Sequence, residues 1–257
     1  AITLDYMSNG RLKLGIGVSG PQVVEGWYGQ PYPKPLARTR EWISIFRNIV
    51  ARDQPVSFAG DHYQMPYQGG TGLGKPLKLI QHPVRPDIPL YLGAEGPKNV
   101  ALGAELCDGW IPMFLSPYRM MDVYEDSLAH RPPHFDISAT VPVIIDENID
   151  RGLAQIKQNV GFYVGGMGAK SFNVHKDHIG RLGFAEDADR IQELFMSGHR
   201  DEAIAAVPDQ LADEIALVGP KERIRERLEA WKDSPVTQLN VGTRDMDTLR
   251  FLAEELL

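Results

Sequence analysis

Two short apolar runs in this chain end in glycine and give way to a helical pattern: RLKLGIGVSG (Arg11–Gly20) and PLYLGAEGPKN (Pro89–Asn99). At a strand-to-helix turn, glycine lets the backbone come close to a ligand, and the free N–H groups of the next helix can hold a phosphate. Two such turns predict a parallel α/β enzyme gripping a phosphorylated cofactor at the carboxyl ends of its strands. The same unit recurs along the chain. Leu12–Val18, Ile88–Leu92, Ile137–Ile145, Glu214–Val218 and Val236–Val241 read as strands, and Trp110–Phe114 follows a short CDG turn. Helical patterns fill Leu36–Arg52 (with Trp42, Ile45, Phe46 and Ile49 on one face), Lys98–Glu105, most of Asp150–Ala206, the segment opened by Gly219-Pro220, and Asp245–Leu257. Phe58–Lys78 is rich in Gly, Pro and aromatics and reads as a long loop or hairpin excursion.

Composition narrows the partners. A chain of 257 residues can bury one large core, and residues 1–257 are read as a single domain. An apolar share of 43% and a charged share of 24% suit a soluble protein, and no apolar run is long enough to span a membrane. The opening AITLDYMSNGR lacks both the features of a signal peptide and an initiator methionine. A net charge of −7 argues against nucleic acid as the main partner. Cys107 is the sole cysteine, so no internal disulfide is possible and a reducing cytoplasm is the expected setting. Its apolar surroundings favour packing over nucleophilic chemistry.

The individual motifs differ in weight. Gly15–Gly20 spells G-x-G-x-x-G, the dinucleotide fingerprint, but Pro21 follows at once and the helix is expected only at Leu36. The acidic residue at the right distance, Glu41, falls inside that helix rather than at a strand end. Gly69–Lys75, GGTGLGK, matches a phosphate-binding loop until Pro76 replaces the Ser/Thr, so a flexible hairpin tip is the better reading. Ala94–Lys98 is the stronger anion candidate: it follows a clear strand, puts Pro97 at a helix start and adds the Lys98 cation, with a plain βα turn as the alternative. His175 and His178 have HxxH spacing, but the segment is polar and no third ligand is evident, so solvated or loop-bonded histidines are expected and no metal. His62 and Tyr63 in the aromatic excursion are candidates to face a substrate, as is Tyr163, whose default is a core position. Arg38 and Arg40 are expected to pair with acidic neighbours or cap a loop.

Taken together, LDYMSNGRLKLGIGVSGPQVVEGWYG, KPLARTREW, PLYLGAEGPKNVALGAELCDGW, YVGGMG, FNVHKDHIGRLGF and LVGPKERIRERLEAW, in that order, closely resemble the luciferase-like flavin and deazaflavin oxidoreductases, above all the coenzyme F420-dependent branch. The resemblance covers essentially the whole chain. It implies a (β/α)8 TIM-barrel fold with the ring of the cofactor in the carboxyl-terminal mouth. The strands present would be the fourth to eighth, the first three βα units would be missing, and Gly20–Lys78 and Asp146–Asp213 would be insertions around the mouth. It further implies that Gly17, Val18, Ser19 and Gly20 line the ring and its side chain, and that Ala94, Glu95, Gly96, Pro97 and Lys98 meet the phosphate. Where some relatives carry a glutamate acid, Pro21 stands here, with Glu25 four residues on, so the catalytic acid is left unassigned. The expected reaction is hydride transfer between F420 and a small organic substrate. FMN, an FMNH2-dependent monooxygenase and an inactive fragment or binding module remain the alternatives. An uncovered strand edge predicts a homo-oligomer.

Overall fold

The computed structural model describes residues 1–257. Six strands form one all-parallel sheet: β1 (Leu14–Ile16), β2 (Leu90–Gly93), β3 (Gly109–Ile111), β4 (Asp136–Ile145), β5 (Leu217–Gly219) and β6 (Gln238–Gly242). β1 pairs with β2, β2 with β3, and β3 with the first two residues of β4. The long β4 then takes β6 along Ser138–Pro142 and β5 along Val143–Ile145. No ladder joins β6 back to β1, so the sheet is open and β1 is an edge. Parallel strands buried on both faces carry continuous apolar sequence, as Leu90, Tyr91 and Leu92 do at 0%, 4% and 1% exposure.

The main helices are α1 (Pro35–Ala51), α2 (Pro97–Leu106), α3 (Met120–Leu128), α4 (Ile149–Gly166), α5 (Val174–Ile179), α6 (Ala185–Met196), α7 (Lys221–Lys232) and α8 (Met246–Leu256). Their starts follow local rules. Proline opens α1 and α2, where its missing N–H costs nothing. Asn148, Asn173 and Asp245 cap α4, α5 and α8 with side-chain acceptors. A π-turn over Gly180–Phe184 carries α5 into α6, with Gly183 at φ +98. Two apolar cores result. One joins the sheet to α2, α3, α7 and α8 through residues such as Leu92, Trp110, Tyr124, Ile137 and Leu228. The other lies within the α4–α6 excursion around Val160, Val164, Ile179 and Ile191, and takes in Phe114.

Three sequence expectations change. Gly109–Ile111 is a full member of the sheet, although only three residues long and thus too short for a periodicity to show. The strand expected at Glu214–Val218 begins only at Leu217, because Asp209–Glu214 is a helical turn. A helix does follow the first glycine motif directly. Pro21–Val24 makes one turn capped by Gly20, and Pro21, which argued against a helix, starts it from its first position. GGTGLGK lies in the exposed loop closed by the Val56–Leu77 bridge, beyond a small hairpin of Phe58–Ala59 and Gln64–Met65.

Candidate active site at the carboxyl ends of the sheet

Because all six strands run the same way, the loops after β1, β2, β3, β4 and β6 collect at one end. That end is where parallel α/β proteins assemble their sites. Two non-glycine residues there adopt positive φ, Ser19 after β1 at +56° and Phe114 after β3 at +51°. Such conformations cost free energy and persist only where the surroundings over-determine them.

The loop after β2 is held by its carbonyls. The Trp110 indole N–H donates to the Ala94 carbonyl at 2.8 Å, and the Tyr124 hydroxyl donates to the Glu95 carbonyl at 2.7 Å. Both donors are fully buried and pack edge to face, with ring centroids 4.8 Å apart. Tyr124 also lies 2.8 Å from His178 Nδ1, while His178 Nε2 is 3.2 Å from the Phe114 carbonyl. A carbonyl can only accept, so Nε2 carries the proton. Burial pushes the His178 pKa below the ordinary imidazole value, outweighing the nearby Glu95 charge, so the ring is neutral and Nδ1 accepts. The single Tyr124 proton therefore has two acceptors, Nδ1 and the Glu95 carbonyl. Arg181, on the π-turn, reaches the same carbonyl at 3.4 Å.

The Glu95 side chain makes the second half of the network. It is 8% exposed, and Oε1 lies 2.7 Å from His175 Nδ1. The His175 ring stands edge-on to Tyr163 at 4.9 Å and to Phe114 at 6.5 Å. Asn173 sets this position: its Oδ1 accepts from the His175 and Lys176 N–H groups, and its Nδ2 donates to the carbonyls of Tyr163 and Val164. Glu95 Oε2 and Asn99 Oδ1 are sealed from solvent and have no partner.

The expected site residues thus separate into groups. Gly17 and Val18 line a cavity of about 450 Å³ beside β1, together with Tyr32, Arg38, Thr39, Trp42 and Tyr63. Ser19 and Gly20 lie next to it in the chain, and the Ser19 carbonyl accepts from the Tyr32 hydroxyl at 2.9 Å. Arg38 faces this cavity without an ion pair, whereas Arg40 forms a two-pronged bridge to Glu105. The neighbouring His62 is fixed by its backbone N–H on Glu41, and its Nε2 is buried without a partner. Tyr163 is in the other group, against His175. Ala94, Glu95, Gly96 and Pro97 form the gripped loop, but the Lys98 side chain is exposed and lines an outer groove with Leu36, Arg40, Asp126 and His130. A further cavity of about 720 Å³ opens between the ends of β4 and β6, lined by Phe114, Ile145, Gln155, Asn159, Thr243 and Arg244.

The sequence leaves His175 and His178 either solvated or hydrogen-bonded in a loop, and both are hydrogen-bonded, but not at a solvated surface. Instead His178 is 1% exposed and the two rings point to different partners rather than to a shared metal position. Tyr124, Phe114, Asn173 and Arg181 carried no sequence signal of their own. Only for the tyrosine was a signal available, the i, i+4 spacing of Met120, Tyr124 and Leu128 on the buried face of α3.

A deazaflavin or flavin would meet suitable surfaces here. A side chain at Gly96 would meet nothing within 4 Å and one at Gly17 only the Gly93 carbonyl at 3.9 Å, so the backbone is open to a ligand at both turns.

Residues 1–238 match the family model of luciferase-like monooxygenases. The chain is 48% identical to a Mycobacterium tuberculosis protein provisionally named a coenzyme F420-dependent oxidoreductase, over 98% of this chain and 76% of the relative. It is 27% identical to a 5,10-methylenetetrahydromethanopterin reductase of Archaeoglobus fulgidus, over 94% of this chain and 70% of that protein. Among solved structures, a coenzyme F420-dependent tetrahydromethanopterin reductase from Methanopyrus kandleri superposes with a TM-score of 0.75 at 20% identity, covering 99% of this chain and 76% of that one. This last likeness is one of fold.

Proposed function

Because the chain belongs to the luciferase-like monooxygenase family, we propose that it is an oxidoreductase that moves a hydride between coenzyme F420 and a small organic molecule. The observation that carries this reading is the 48% identity, along nearly the whole chain, to a relative named for F420. We read the open sheet as an arc of a (β/α)8 barrel, with β1, β2, β3, β4 and β6 as successive barrel strands and β5 as an addition to the end of β4. A bound deazaflavin supplies the hydride chemistry itself.

The chain's own residues bind and orient. Gly17, Val18, Ser19 and Gly20 form the wall a planar ring can approach, with Arg38 as the nearby cation. Ala94, Glu95, Gly96 and Pro97, clamped by Trp110 and Tyr124, hold the cofactor's side chain. Lys98 contributes its backbone at the start of α2 rather than its ammonium, which faces the outer groove. Phe114 packs edge-on to Tyr163 and His175 and also lines the cavity beside β6, and on this ground we read that cavity, near Tyr163 and Arg244, as the place for the substrate. Tyr63 belongs to the ring side, and His62 supports it from the hairpin.

The test is a fluorescence titration of the purified chain with F420. Saturable binding at micromolar concentration is expected, and Gly17→Val, which fills the ring wall, should weaken it at least tenfold. An unsaturable signal with the folded wild-type chain would overturn the reading.

A further inference from the structure

The cavity of about 720 Å³ between the ends of β4 and β6 has a floor and a rim of different chemistry. Phe114, Ile156 and Ile215, all buried, give it an apolar floor. The rim carries Gln155, Asn159, Thr243, Arg244 and Asp245. Gln155 and Asn159 stand four residues apart on α4, hence on one face, and neither amide bonds within the protein. Thr243 Oγ1 accepts from the Asp245 N–H at 3.2 Å, which leaves the Thr243 proton free to donate. Arg244 is exposed and unpaired, because both acids beside it are engaged. Asp245 caps α8: one oxygen accepts from the Asp247 N–H, the other from the Thr248 N–H and hydroxyl at 2.9 and 2.6 Å. Asp247 pairs with Arg250. The arginines that begin the helices after β3, β4 and β5 (Arg119, Arg151 and Arg223) each hold a carboxylate of the chain, whereas Arg244 lines the open cavity.

A guanidinium fork matches a carboxylate with two parallel charge-assisted hydrogen bonds. Phosphate is the poorer match here. A dianion would leave one charge uncompensated, and it would meet the Asp245 carboxylate in the same rim. We propose that this cavity takes an organic monocarboxylate, with the carboxylate on Arg244 and Thr243 and an apolar body on Phe114, Ile156 and Ile215. Gln155 and Asn159 supply the remaining donors of the rim. The inference rests on the reading of this cavity as the substrate's place and narrows the substrate to one chemical class. Arg244 sets specificity by binding the end of the molecule that does not react.

Octanoate serves as the probe, with 1-octanol as its neutral counterpart and octyl phosphate as its dianionic one, and none of them needs F420. In 1H–15N spectra of the arginine Nε–H groups, octanoate should move the Arg244 signal, identified by its loss in Arg244→Gln, and 1-octanol should not. By isothermal titration calorimetry, Arg244→Gln should weaken octanoate binding about tenfold. Arg244→Lys, which keeps the charge but loses the fork, should retain part of it. Arg190→Gln removes an exposed charge on α6 and should change nothing. An Arg244 signal that ignores octanoate, or octyl phosphate binding more tightly than octanoate, would overturn the subsite, and both are read on the wild-type chain. Equal octanoate affinity in Arg244→Gln would overturn it as well. Octanoate on Arg244 in a chain that takes up no F420 would support the carboxylate site and overturn the cofactor reading. F420 uptake with no response to octanoate would overturn the subsite alone.

Discussion

At the residue scale, Tyr124 has one proton and two acceptors, and both acceptors belong to the candidate site. Burial raises its pKa further, so the hydroxyl stays protonated and keeps donating. Tyr124→Phe should leave a buried carbonyl and a buried imidazole nitrogen competing for fewer donors. A cost of roughly 1–3 kcal/mol is expected in denaturant unfolding, and an unchanged midpoint would show that the network is idle. His178 gives a pH dependence of definite sign. Its folded pKa lies below its unfolded value, so the unfolded chain binds the extra proton first. Its contribution is complete above the unfolded value of about 6.5 and is lost as pH falls. Stability should therefore decline from roughly pH 7 to 5, and His178→Gln should flatten that slope; a persistent slope in the variant would assign it elsewhere. Cys107 is buried, its thiol pushed up to about 11 mainly by desolvation, and should resist alkylation until the chain unfolds. The sequence marked Glu95 as part of a ligand loop and Cys107 as packing. It singled out the HxxH spacing of His175 and His178 but not their burial, because SFNVHKDH is polar and becomes buried only through loops some eighty residues earlier, such as the one bearing Glu95.

At the scale of elements, the strands with four or more apolar residues and the capped helices were legible, since their periodicity and their Pro or Asn starts are local. β3 was not. It holds only three residues, and its membership depends on Gly109. A Cβ there would stand 2.5 Å from the Tyr91 ring and 3.0 Å from the Asp136 carbonyl. That close approach lets Tyr91 reach the Asp136 carboxylate, which also takes Lys13 and Thr237. Burial opposes the Asp136 charge, but these hydrogen bonds outweigh it and hold its pKa below the usual carboxylate range. Gly109→Ala should force the Tyr91 ring aside and cost about 1–3 kcal/mol. Thermal unfolding reads this directly, and a neutral result would mean that β2 and β3 separate more easily than their register implies. The pairing of Tyr91 with Gly109 is a contact between different strands, which no single-segment pattern reports.

At the scale of the molecule, the parallel α/β architecture followed from the repeated strand–glycine–helix unit, and the family from the order of motifs along the chain. What could not be read was how the parts meet: Tyr63 and Arg38 beside β1, Tyr163 and His175 beside β2, and the Lys98 ammonium on the outside. The unpaired edge of β1 and the exposed Trp27, Tyr28, Leu73 and Ile80 make self-association the expected behaviour. Light scattering should show mass rising with concentration, whereas a monomer unfolding cooperatively at all concentrations would contradict it. Cofactor identity is the claim on which the rest depends. Native mass spectrometry of the purified chain offered equal amounts of F420 and FMN tests it most directly. The account predicts a complex with F420 and none with FMN; a chain that takes up FMN and leaves F420 behind would contradict it.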